Sequence, residues 1–215
     1  MNGVEVGWIV TAAAVGYLLG AINPAAIIAK ARGIDLNSSG SGNPGATNAA
    51  RVMGRKTGIL VLIFDVLKGL VPVLVFSALA TPPVGGIAGF AAILGHMTSP
   101  FLKGKGGKGV ATLAGMLFAL QPIVALCCVG VFLLVLFLTR YVSLSSILAG
   151  LALPVFVLWI WRDDVIVYRV FAIAVAVLVV LTHKKNIVRL LKGVESQVPI
   201  LKYRDRRKSR RRNEL

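Results

Sequence analysis

Long apolar stretches alternate along the chain with short polar segments that are rich in glycine and basic residues. A helix that spans a membrane needs about 20 predominantly apolar residues. The pattern predicts seven spans, over residues 6–29, 57–80, 84–100, 109–121, 123–140, 144–161 and 165–182. We separate the fourth from the fifth at Gln121-Pro122, because proline favours a break and one helix over 109–140 would be about 48 Å long, against a membrane core of about 30 Å.

Composition supports a membrane protein. Of the 215 residues, 57% are hydrophobic and only 15% are charged, and the mean hydropathy is +0.83. Soluble globular domains carry about 25% charged residues, so this composition excludes a disordered chain and an ordinary soluble enzyme. We therefore predict an all-α fold, a polytopic membrane helix bundle of about seven transmembrane helices. We expect one integral membrane domain over residues 1–200 and a disordered basic tail over 201–215.

The basic residues indicate how the chain is oriented in the membrane. Lys and Arg number 24 against 8 Asp and Glu, which gives a formal net charge of +16. If the N-terminus lies outside, the seven spans place every basic residue except Lys68, Arg162 and Arg169 on one side. Basic residues concentrate in cytoplasmic loops, so this side and the C-terminus are cytoplasmic. We expect the tail to lie on anionic lipid headgroups rather than to bind nucleic acid.

Three polar segments on the cytoplasmic side, residues 38–51, 96–112 and 183–195, differ from the other connections. The first two combine glycines with hydroxyl, amide and basic side chains. Such a backbone can turn several N–H groups toward one anion, most effectively where a helix begins just after it. The pattern therefore indicates a site for a phosphorylated ligand at the cytoplasmic face. The alternative is that these glycines only form tight turns.

Ionisable residues in or beside the predicted spans supply further candidates. Asp65 and Lys68 are three residues apart and share one helix face, either as a structural ion pair or as part of the pocket. His183 and Asn186 share a face if the last span continues, whereas Glu195 lies too far along for that face. His96 ends the third span and could act as a base, bind phosphate or pack as a polar residue.

Two sequence matches do not indicate the chemistry that they usually mark. Gly-x-Gly-x-x-Gly occurs at Gly40 and again at Gly104, but no strand pattern precedes either copy, so a dinucleotide site is excluded. Cys127 and Cys128 are adjacent in an apolar run, and they predict neither a disulfide nor a metal site.

The three polar segments resemble the cytoplasmic motifs of the bacterial acyl-phosphate:glycerol-3-phosphate acyltransferase family, whose members are polytopic membrane enzymes. Residues 40–51 match the motif G-S-G-N-x-G-A-T-N-x-x-R. Residues 105–112, which follow the pair Gly95-His96, match K-G-G-K-G-V-A-T. Residues 183–195 match H-R-x-N-I-x-R-L-x-x-G-x-E, with Lys184 in place of the usual arginine.

The resemblance extends over nearly the whole chain up to Glu195 and includes residues 20–24 and 65–69. The chain departs from the family pattern at Pro100, one place later than usual, and at Gly104, where an aromatic residue is usual. The resemblance implies transfer of an acyl group from acyl phosphate to the 1-hydroxyl of glycerol 3-phosphate. The products are 1-acyl-glycerol 3-phosphate and inorganic phosphate, in the first step of phospholipid synthesis. No metal, other cofactor or coenzyme A is implied.

The resemblance also implies roles for individual residues. The expected catalytic residues are Ser41, Arg51, Lys108, His183 and Asn186. The expected substrate-binding residues are Gly40, Gly42, Asn43, Gly45, Thr47, Asn48, Lys68, His96, Lys105, Gly106, Gly107, Gly109 and Thr112. Asp65 and Glu195 are expected to be structural or orienting residues. The general base is left open between His183, His96 and the donor phosphate.

The expected partners are acyl phosphate and glycerol 3-phosphate, membrane lipids and the soluble enzyme that makes acyl phosphate, with no nucleic acid. The expected location is the bacterial cytoplasmic (inner) membrane, crossed several times, with the site at the cytoplasmic face. Two hypotheses of other classes are a membrane transporter of a phosphorylated solute and a membrane anchor whose basic tail recruits a partner. A transporter is expected to show inverted repeats, and no clear inverted likeness relates the two halves of this chain.

Overall fold

The computed structural model describes residues 3–160 and 166–198, with only the backbone of Val167. Within these ranges the chain is helical and has no strand, which confirms the all-α class. The elements are, in order, α1 Gly3–Ala21, α2 Pro24–Ala31, α3 Ala46–Met53, α4 Arg55–Leu79, α5 Pro82–Met97, a 3₁₀ turn Pro100–Leu102, α6 Val110–Leu120, α7 Pro122–Thr139, α8 Val142–Trp159, α9 Ile166–Thr182 and α10 Lys184–Leu191. Arg162 and the basic tail over 201–215 lie outside the described residues.

Several helices of the described chain are long and apolar enough to cross a membrane. Five such segments are Gly3–Ala31, Arg55–Leu79, Pro82–Leu102, Pro122–Thr139 and Val142–Trp159, and a sixth is the pair Tyr168–Thr182 and Lys184–Leu191, bent by 58°. The predicted break at Gln121-Pro122 is confirmed, because α6 ends before it and α7 begins at Pro122. However, α6 has 11 residues and is about 16 Å long, shorter than a membrane core of about 30 Å. The number of seven spans stays a prediction.

The first predicted span, over 6–29, is broken between α1 and α2. Pro24 begins α2; it has no N–H to continue the hydrogen bonds of α1, and it favours an extended residue before it. Asn23 accordingly has φ −114° and ψ 100°, and its Oδ1 accepts a hydrogen bond from the N–H of Ala26 at 2.8 Å. An Asn-Pro pair inside an apolar run therefore marks a helix start that the span pattern alone does not show.

The described residues form two compact units. The first unit comprises residues 3–127 and 157–160, and the second comprises residues 128–156 and 166–198. The first unit contains α1 to α6 and the first two polar segments. The second unit contains α9, α10, most of α7 and α8, and the third polar segment.

Small residues let α1 and α5 pack closely in the first unit. A Cβ at Gly16 would collide with the backbone oxygen of Ala88, and a Cβ at Gly20 would collide with that of Ala92. Small residues at a spacing of four let helix backbones approach inside a membrane, where van der Waals contact replaces the hydrophobic effect. This packing places the end of α5, which carries His96, beside the break between α1 and α2.

Glycine residues also let α4 and α6 pack closely. A Cβ at Gly69 would collide with the backbone oxygen of Thr112, and a Cβ at Gly115 would collide with that of Val66. Because α6 begins directly after the second polar segment, this packing fixes where that segment ends. The start of α4 packs with α2 and α3 in an apolar core formed by Ala25, Ala29, Leu36, Ala49 and Val61.

In the second unit, α8 packs against α9 through a close approach. A Cβ at Gly150 would lie 2.9 Å from Cγ1 of Val179, closer than real contacts allow. The segment after α10 returns to the start of α8, where the N–H of Val198 donates to the backbone oxygen of Arg140 at 2.9 Å. This return positions the third polar segment.

Candidate active site

The first glycine loop, residues 38–45, is held in shape by the side chain of Asn48. Asn48 Oδ1 accepts a hydrogen bond from the N–H of Ser41 at 2.8 Å, and Asn48 Nδ2 donates to the backbone oxygen of Ser39 at 3.0 Å. Gly40 has φ +63°, and a Cβ there would collide with Asn48 Oδ1, so this turn requires glycine. The buried Asn48, predicted from the sequence to bind substrate, therefore also shapes the loop.

The first glycine loop leads directly into α3. Thr47 and Arg51 are four residues apart on one face of this helix, and both are exposed, as is Ser41. Gly45 is the N-cap, and no side chain in the described ranges caps the helix. The first N–H groups of a helix have no partner within it and carry partial positive charge. Hydroxyl and backbone N–H donors thus lie at the start of α3, and Arg51 lies on the same face in the last turn of this helix.

A buried polar cluster, consisting of Asp65, Lys68 and His96, lies in the first unit. Lys68 Nζ is 2.7 Å from Asp65 Oδ1, which confirms the shared helix face predicted from their spacing. His96 Nδ1 lies 3.5 Å from the same carboxylate oxygen. Lys68 Nζ also donates to the backbone oxygen of Ile22 at 3.0 Å. Ionisable groups inside a membrane protein are costly unless paired in this way.

The second glycine loop, residues 103–109, folds back onto the end of α5. The N–H of Gly106 donates to the backbone oxygen of Met97 at 3.0 Å, and that of Gly107 donates to the backbone oxygen of His96 at 2.9 Å. A Cβ at Gly107 would collide with Nε2 of His96. His96 therefore faces Asp65 with one ring nitrogen and the second glycine loop with the other.

These hydrogen bonds alter the expected arrangement of anion donors. The sequence suggests that glycine N–H groups turn toward the ligand, but those of Gly42, Gly45, Gly106 and Gly107 donate to backbone oxygens of the protein. Side chains and the first turns of α3 and α6 offer donors to a ligand instead. Gly109 is the N-cap of α6, and no described side chain caps that helix either.

Three side chains accompany the start of α6. Lys105 is exposed, Lys108 is half-buried and Thr112 is buried. Thr112 Oγ1 has no hydrogen-bond partner among the described residues. A buried hydroxyl without a partner costs about 1–3 kcal/mol, so Thr112 is suited to accept or donate a bond to a ligand. No group of three or more His, Cys, Asp or Glu in the described chain could hold a metal ion.

In the second unit, His183 stands at the bend between α9 and α10. The shared helix face predicted for His183 and Asn186 is conditional on a continuous last span, but α9 and α10 are bent by 58° at this residue. His183 Nδ1 lies 2.8 Å from the backbone oxygen of Val179. Because a carbonyl oxygen can only accept, Nδ1 donates this hydrogen bond, and in a neutral ring the lone pair then lies on Nε2.

Glu195 gathers three donors around one carboxylate. Oε1 accepts from Asn186 Nδ2 at 2.7 Å and from Ser143 Oγ at 2.8 Å, and Oε2 accepts from Arg189 Nε at 2.6 Å. The chain reverses after α10 at Gly193, which has φ +68°. The expectation that Glu195 is too far along to reach this face is therefore wrong, whereas its contacts suit the orienting role expected for it.

The electrostatics of Glu195 determine how Asn186 is oriented. Burial raises the pKa of the Glu195 carboxyl, but hydrogen bonds from Arg189, Asn186 and Ser143 outweigh burial and hold this pKa below its ordinary value. At neutral pH the group is therefore a carboxylate that can only accept hydrogen bonds. Asn186 must turn its Nδ2 toward Glu195, which directs its Oδ1 elsewhere.

Comparison with known proteins identifies the family of this chain. The family model described as glycerol-3-phosphate acyltransferase matches residues 10–193. The chain belongs to the glycerol-3-phosphate acyltransferase family. The glycerol-3-phosphate acyltransferase of Geotalea daltonii is 44% identical over 181 residues, covering 84% of this chain and 92% of that protein. The protein of the same name from Fusobacterium nucleatum is 43% identical over 185 residues, covering 84% of this chain and 93% of that protein.

Solved structures share the fold of this acyltransferase. The crystal structure of PlsY (YgiH), an integral membrane glycerol 3-phosphate acyltransferase in its glycerol 3-phosphate form, matches with a TM-score of 0.83 and 41% identity, over 88% of this chain and 95% of that chain. Its lysophosphatidic acid form matches with a TM-score of 0.79 and 39% identity, over 88% of this chain and 94% of that chain. This acyltransferase is likewise an integral membrane protein.

The structure brings the predicted residues of the acyltransferase together in two groups. The first unit holds both glycine loops, the starts of α3 and α6, and the polar cluster. The second unit holds His183, Asn186 and Glu195. The roles assigned to individual residues from the family resemblance stay predictions.

Three further residues support these groups, and the sequence analysis did not identify them. Asn23 Nδ2 donates to the backbone oxygen of Pro44 in the first glycine loop at 2.9 Å. Ser99 Oγ donates to the backbone oxygen of Ala21 at 2.7 Å, and Ser143 binds Glu195. The Asn-Pro pair at Asn23 is a usable signal. The two serines give none, since their partners are 78 and 52 residues away.

Proposed function

We propose that this acyltransferase takes its acyl group from acyl phosphate and transfers it to the 1-hydroxyl of glycerol 3-phosphate. One observation carries the choice of donor. Two glycine loops in the same unit each lead into a helix start beside basic side chains. Helix starts of this kind bind phosphate groups. Two of them suit a reaction in which donor and acceptor each carry one phosphate, and the relatives' names supply the acceptor.

The reaction depends more on correct placement of the two substrates than on a strong acid or base. The 1-hydroxyl oxygen of glycerol 3-phosphate forms a bond to the acyl carbon, and the bond from that carbon to the phosphate oxygen breaks. Phosphate leaves with the electron pair, and the hydroxyl proton passes to a base or to the leaving phosphate. The protein must hold two anions close together despite their repulsion. Correct orientation can lower the barrier by about 7–11 kcal/mol.

The first glycine loop and α3 would bind the phosphate of glycerol 3-phosphate. Ser41 in the loop and Thr47 and Arg51 on one face of α3 are exposed, and Asn43 lies in the same loop. The guanidinium of Arg51 can contact two phosphate oxygens at once. Asn48, with Gly40, Gly42 and Gly45, would hold the loop in its binding shape.

The second glycine loop and α6 would bind the acyl phosphate. Lys105 and Lys108 supply positive charge, and the N–H groups of the first turn of α6 point at the same oxygens. The buried hydroxyl of Thr112 would complete its hydrogen bonding on the ligand. Gly106, Gly107 and Gly109 let the chain turn tightly between α5 and α6.

We infer from the family resemblance that His183 and Asn186 of the third polar segment contact glycerol 3-phosphate. His183 Nε2 is the nitrogen that can accept the hydroxyl proton, with the donor phosphate and His96 as the other candidates. Asn186 would present its Oδ1 to the substrate while Glu195 holds its Nδ2. Glu195 thus orients a neighbour and does not react.

We further propose seven spans, with the N-terminus outside and the site at the cytoplasmic face of the bacterial inner membrane. The supporting argument is the distribution of basic residues. If α6 did not cross, the basic residues that follow α9 would lie outside. In this arrangement a soluble enzyme would deliver acyl phosphate from the cytoplasm.

The test is an assay of the purified full chain in lipid nanodiscs. Glycerol 3-phosphate is supplied with acyl phosphate, with acyl-coenzyme A or with an acyl carrier protein thioester. We expect lysophosphatidic acid and phosphate in equal amounts from acyl phosphate alone. Product from a thioester but not from acyl phosphate would refute the donor, and no product from folded protein would refute the activity.

A pair of variants tests the first phosphate site. Arg51→Ala should lower kcat/KM by about 100-fold, the scale expected for removal of a key charge-stabilising donor. The matched control is Arg55→Ala, an equally exposed arginine at the start of α4. It should stay within about twofold of the wild-type protein. Equal effects of the two substitutions would contradict the site.

A further inference from the structure

The break between α1 and α2 is the meeting point of several hydrogen bonds. The end of a helix leaves backbone oxygens without a helical partner. Ser99 Oγ donates to that of Ala21 at 2.7 Å, and Lys68 Nζ donates to that of Ile22 at 3.0 Å. The broken helix is therefore held from two other elements, the start of the 3₁₀ turn after α5 and the middle of α4.

One connection runs from this break to the first glycine loop. Asn23 is buried and uses both ends of its amide: Oδ1 accepts from the N–H of Ala26 at 2.8 Å, and Nδ2 donates to the backbone oxygen of Pro44 at 2.9 Å. The side chain thus fixes the start of α2 and the first glycine loop at the same time.

A second connection runs from the break to the second glycine loop. Lys68 joins Ile22 to Asp65, and Asp65 faces Nδ1 of His96 at 3.5 Å. The other edge of the His96 ring lies against Gly107, and the backbone oxygen of His96 accepts from the N–H of Gly107 at 2.9 Å. All three side chains of the polar cluster are buried or nearly so.

We propose that Asn23, Lys68, Asp65 and His96 form one positioning network that fixes the two glycine loops relative to each other. The network begins at Pro44 in one loop and ends at Gly107 in the other, and every link lies in the first unit. The inference rests on the proposed function, because it assumes that the two loops hold the two reacting phosphates. Lys68 and His96, predicted from the sequence to bind substrate, act in this network through other residues.

The reaction explains why such a network is needed. Two anions repel each other, so loops that are free to move would separate their substrates. A displacement of about 1 Å from the reactive geometry can cost about 100-fold in rate. Loops rich in glycine have little stiffness of their own, so stiffness must come from side chains that reach them from packed helices.

The contact between Lys68 and Asp65 is tested with the double variant Asp65→Asn, Lys68→Met. A neutral amide takes the place of the carboxylate, so no unpaired ion is left in the interior. The introduced methionine fills the space of the lysine stem but cannot donate to Ile22. Each loop is left intact. We therefore expect KM for both substrates to stay within about twofold while kcat falls about 10- to 100-fold.

The hydrogen bond from Asn23 to Pro44 is tested with Asn23→Asp. An aspartate can still cap α2 but cannot donate to Pro44. Loss of one hydrogen bond should raise KM for glycerol 3-phosphate about three- to tenfold and leave KM for acyl phosphate unchanged. Gln121→Glu is the matched control, since it makes the same amide-to-carboxylate change between α6 and α7, and it should alter neither KM. A purely structural role would lower the amount of folded protein without separating the two KM values.

A distance measurement gives a result that does not depend on activity. Spin labels are attached at the exposed positions of Ser38 and Lys103, the first residue of each loop, in full-length protein with Cys127 and Cys128 changed to Ala. Pulsed electron resonance then gives the distribution of distances between the labels. We expect a narrow distribution for the otherwise native protein and for Gln121→Glu, and a broader or shifted one for Asn23→Asp and for the double variant.

An unchanged distribution in both network variants would overturn the proposal, whatever the activity. Unchanged kcat and KM in folded variants of an active enzyme would overturn it as well. A protein that forms no lysophosphatidic acid but shows the broadened distributions would refute the proposed function and leave the network standing.

Discussion

Removal of the Glu195 side chain should reduce activity through Asn186. In Glu195→Ala the carboxylate that accepts from Asn186 Nδ2 at 2.7 Å and from Ser143 Oγ at 2.8 Å is lost. Asn186 Nδ2 then loses this acceptor, and Glu195 no longer fixes the direction of Asn186 Oδ1. If Asn186 contacts glycerol 3-phosphate as proposed, the substrate loses a contact that was oriented in advance.

The size of the effect follows from the kind of hydrogen bond that is lost. A hydrogen bond to a charged group contributes about 1.5–3 kcal/mol. Each 1.36 kcal/mol corresponds to a factor of ten in rate, so kcat/KM should fall about 10- to 100-fold. Arg189 adds less, because its side chain is 33% exposed and water screens its ion pair with Glu195. Arg189→Met should therefore lower kcat/KM by no more than about threefold.

The assay is the formation of lysophosphatidic acid by variants in nanodiscs, with monodispersity and helix content measured on the same samples. Glu195→Gln should fall between the wild-type protein and Glu195→Ala, because its one remaining oxygen can still accept from Asn186 without the help of a charge. If folded Glu195→Ala kept the wild-type kcat/KM, or if Arg189→Met were equally damaging, Asn186 would not be the residue through which Glu195 acts.

Three other predictions concern pH, the second glycine loop and packing. The pKa of Glu195 is lower in the folded protein than in the unfolded chain. The stabilisation that its charged hydrogen bonds provide is therefore complete above the ordinary carboxyl range, and it is lost as the pH falls through the folded pKa. Ser143→Ala removes one of the donors to Glu195, so activity should be lost at a higher pH than in the wild-type protein. The control is Ser146→Ala, whose hydroxyl donates within its own helix and which should keep the wild-type pH dependence. Gly107→Ala places a Cβ against His96 and should raise KM for acyl phosphate at least about tenfold, whereas Gly86→Ala, whose Cβ would meet only Leu120 at 3.9 Å, should not. Gly20→Val should lower the thermal unfolding temperature by several degrees, since about 1–3 kcal/mol is lost by overpacking, and Gly7→Ala, with nothing within 4 Å, should not change it.

Local spacing in the sequence predicts what lies within one helix. Asp65 and Lys68 form the expected ion pair because residues three apart on a helix share a face. The break at Gln121-Pro122 is also found, since proline acts on its own helix. Hydropathy also predicts α4, α5, α7 and α8 to within a few residues, because the membrane requires an apolar stretch of each spanning helix separately.

Contacts made by chain reversals and by helix ends cannot be predicted from local spacing in the sequence. Glu195 reaches Asn186 because the chain turns at Gly193, and helix periodicity carries no information beyond that turn. The glycine N–H groups of the second loop donate to the end of α5, whose position depends on how α1 and α5 pack. The partner of Ser99 is set by the same packing. The motifs therefore identify the residues of the candidate site but not which groups remain available to a ligand.

Glycine-rich loops solve one problem of this enzyme and create another. At Gly40 only glycine fits beside Asn48, so the loop can bring its donors close to a phosphate. The same lack of side chains leaves the backbone with more conformations than any other residue would, and each must be restricted before two substrates can meet. Buried amides and carbonyls supply that restriction: Asn48 and Asn23 for the first loop, and His96 for the second. Precise placement in this enzyme therefore depends on polar side chains beneath the loops as much as on the residues that contact the substrates.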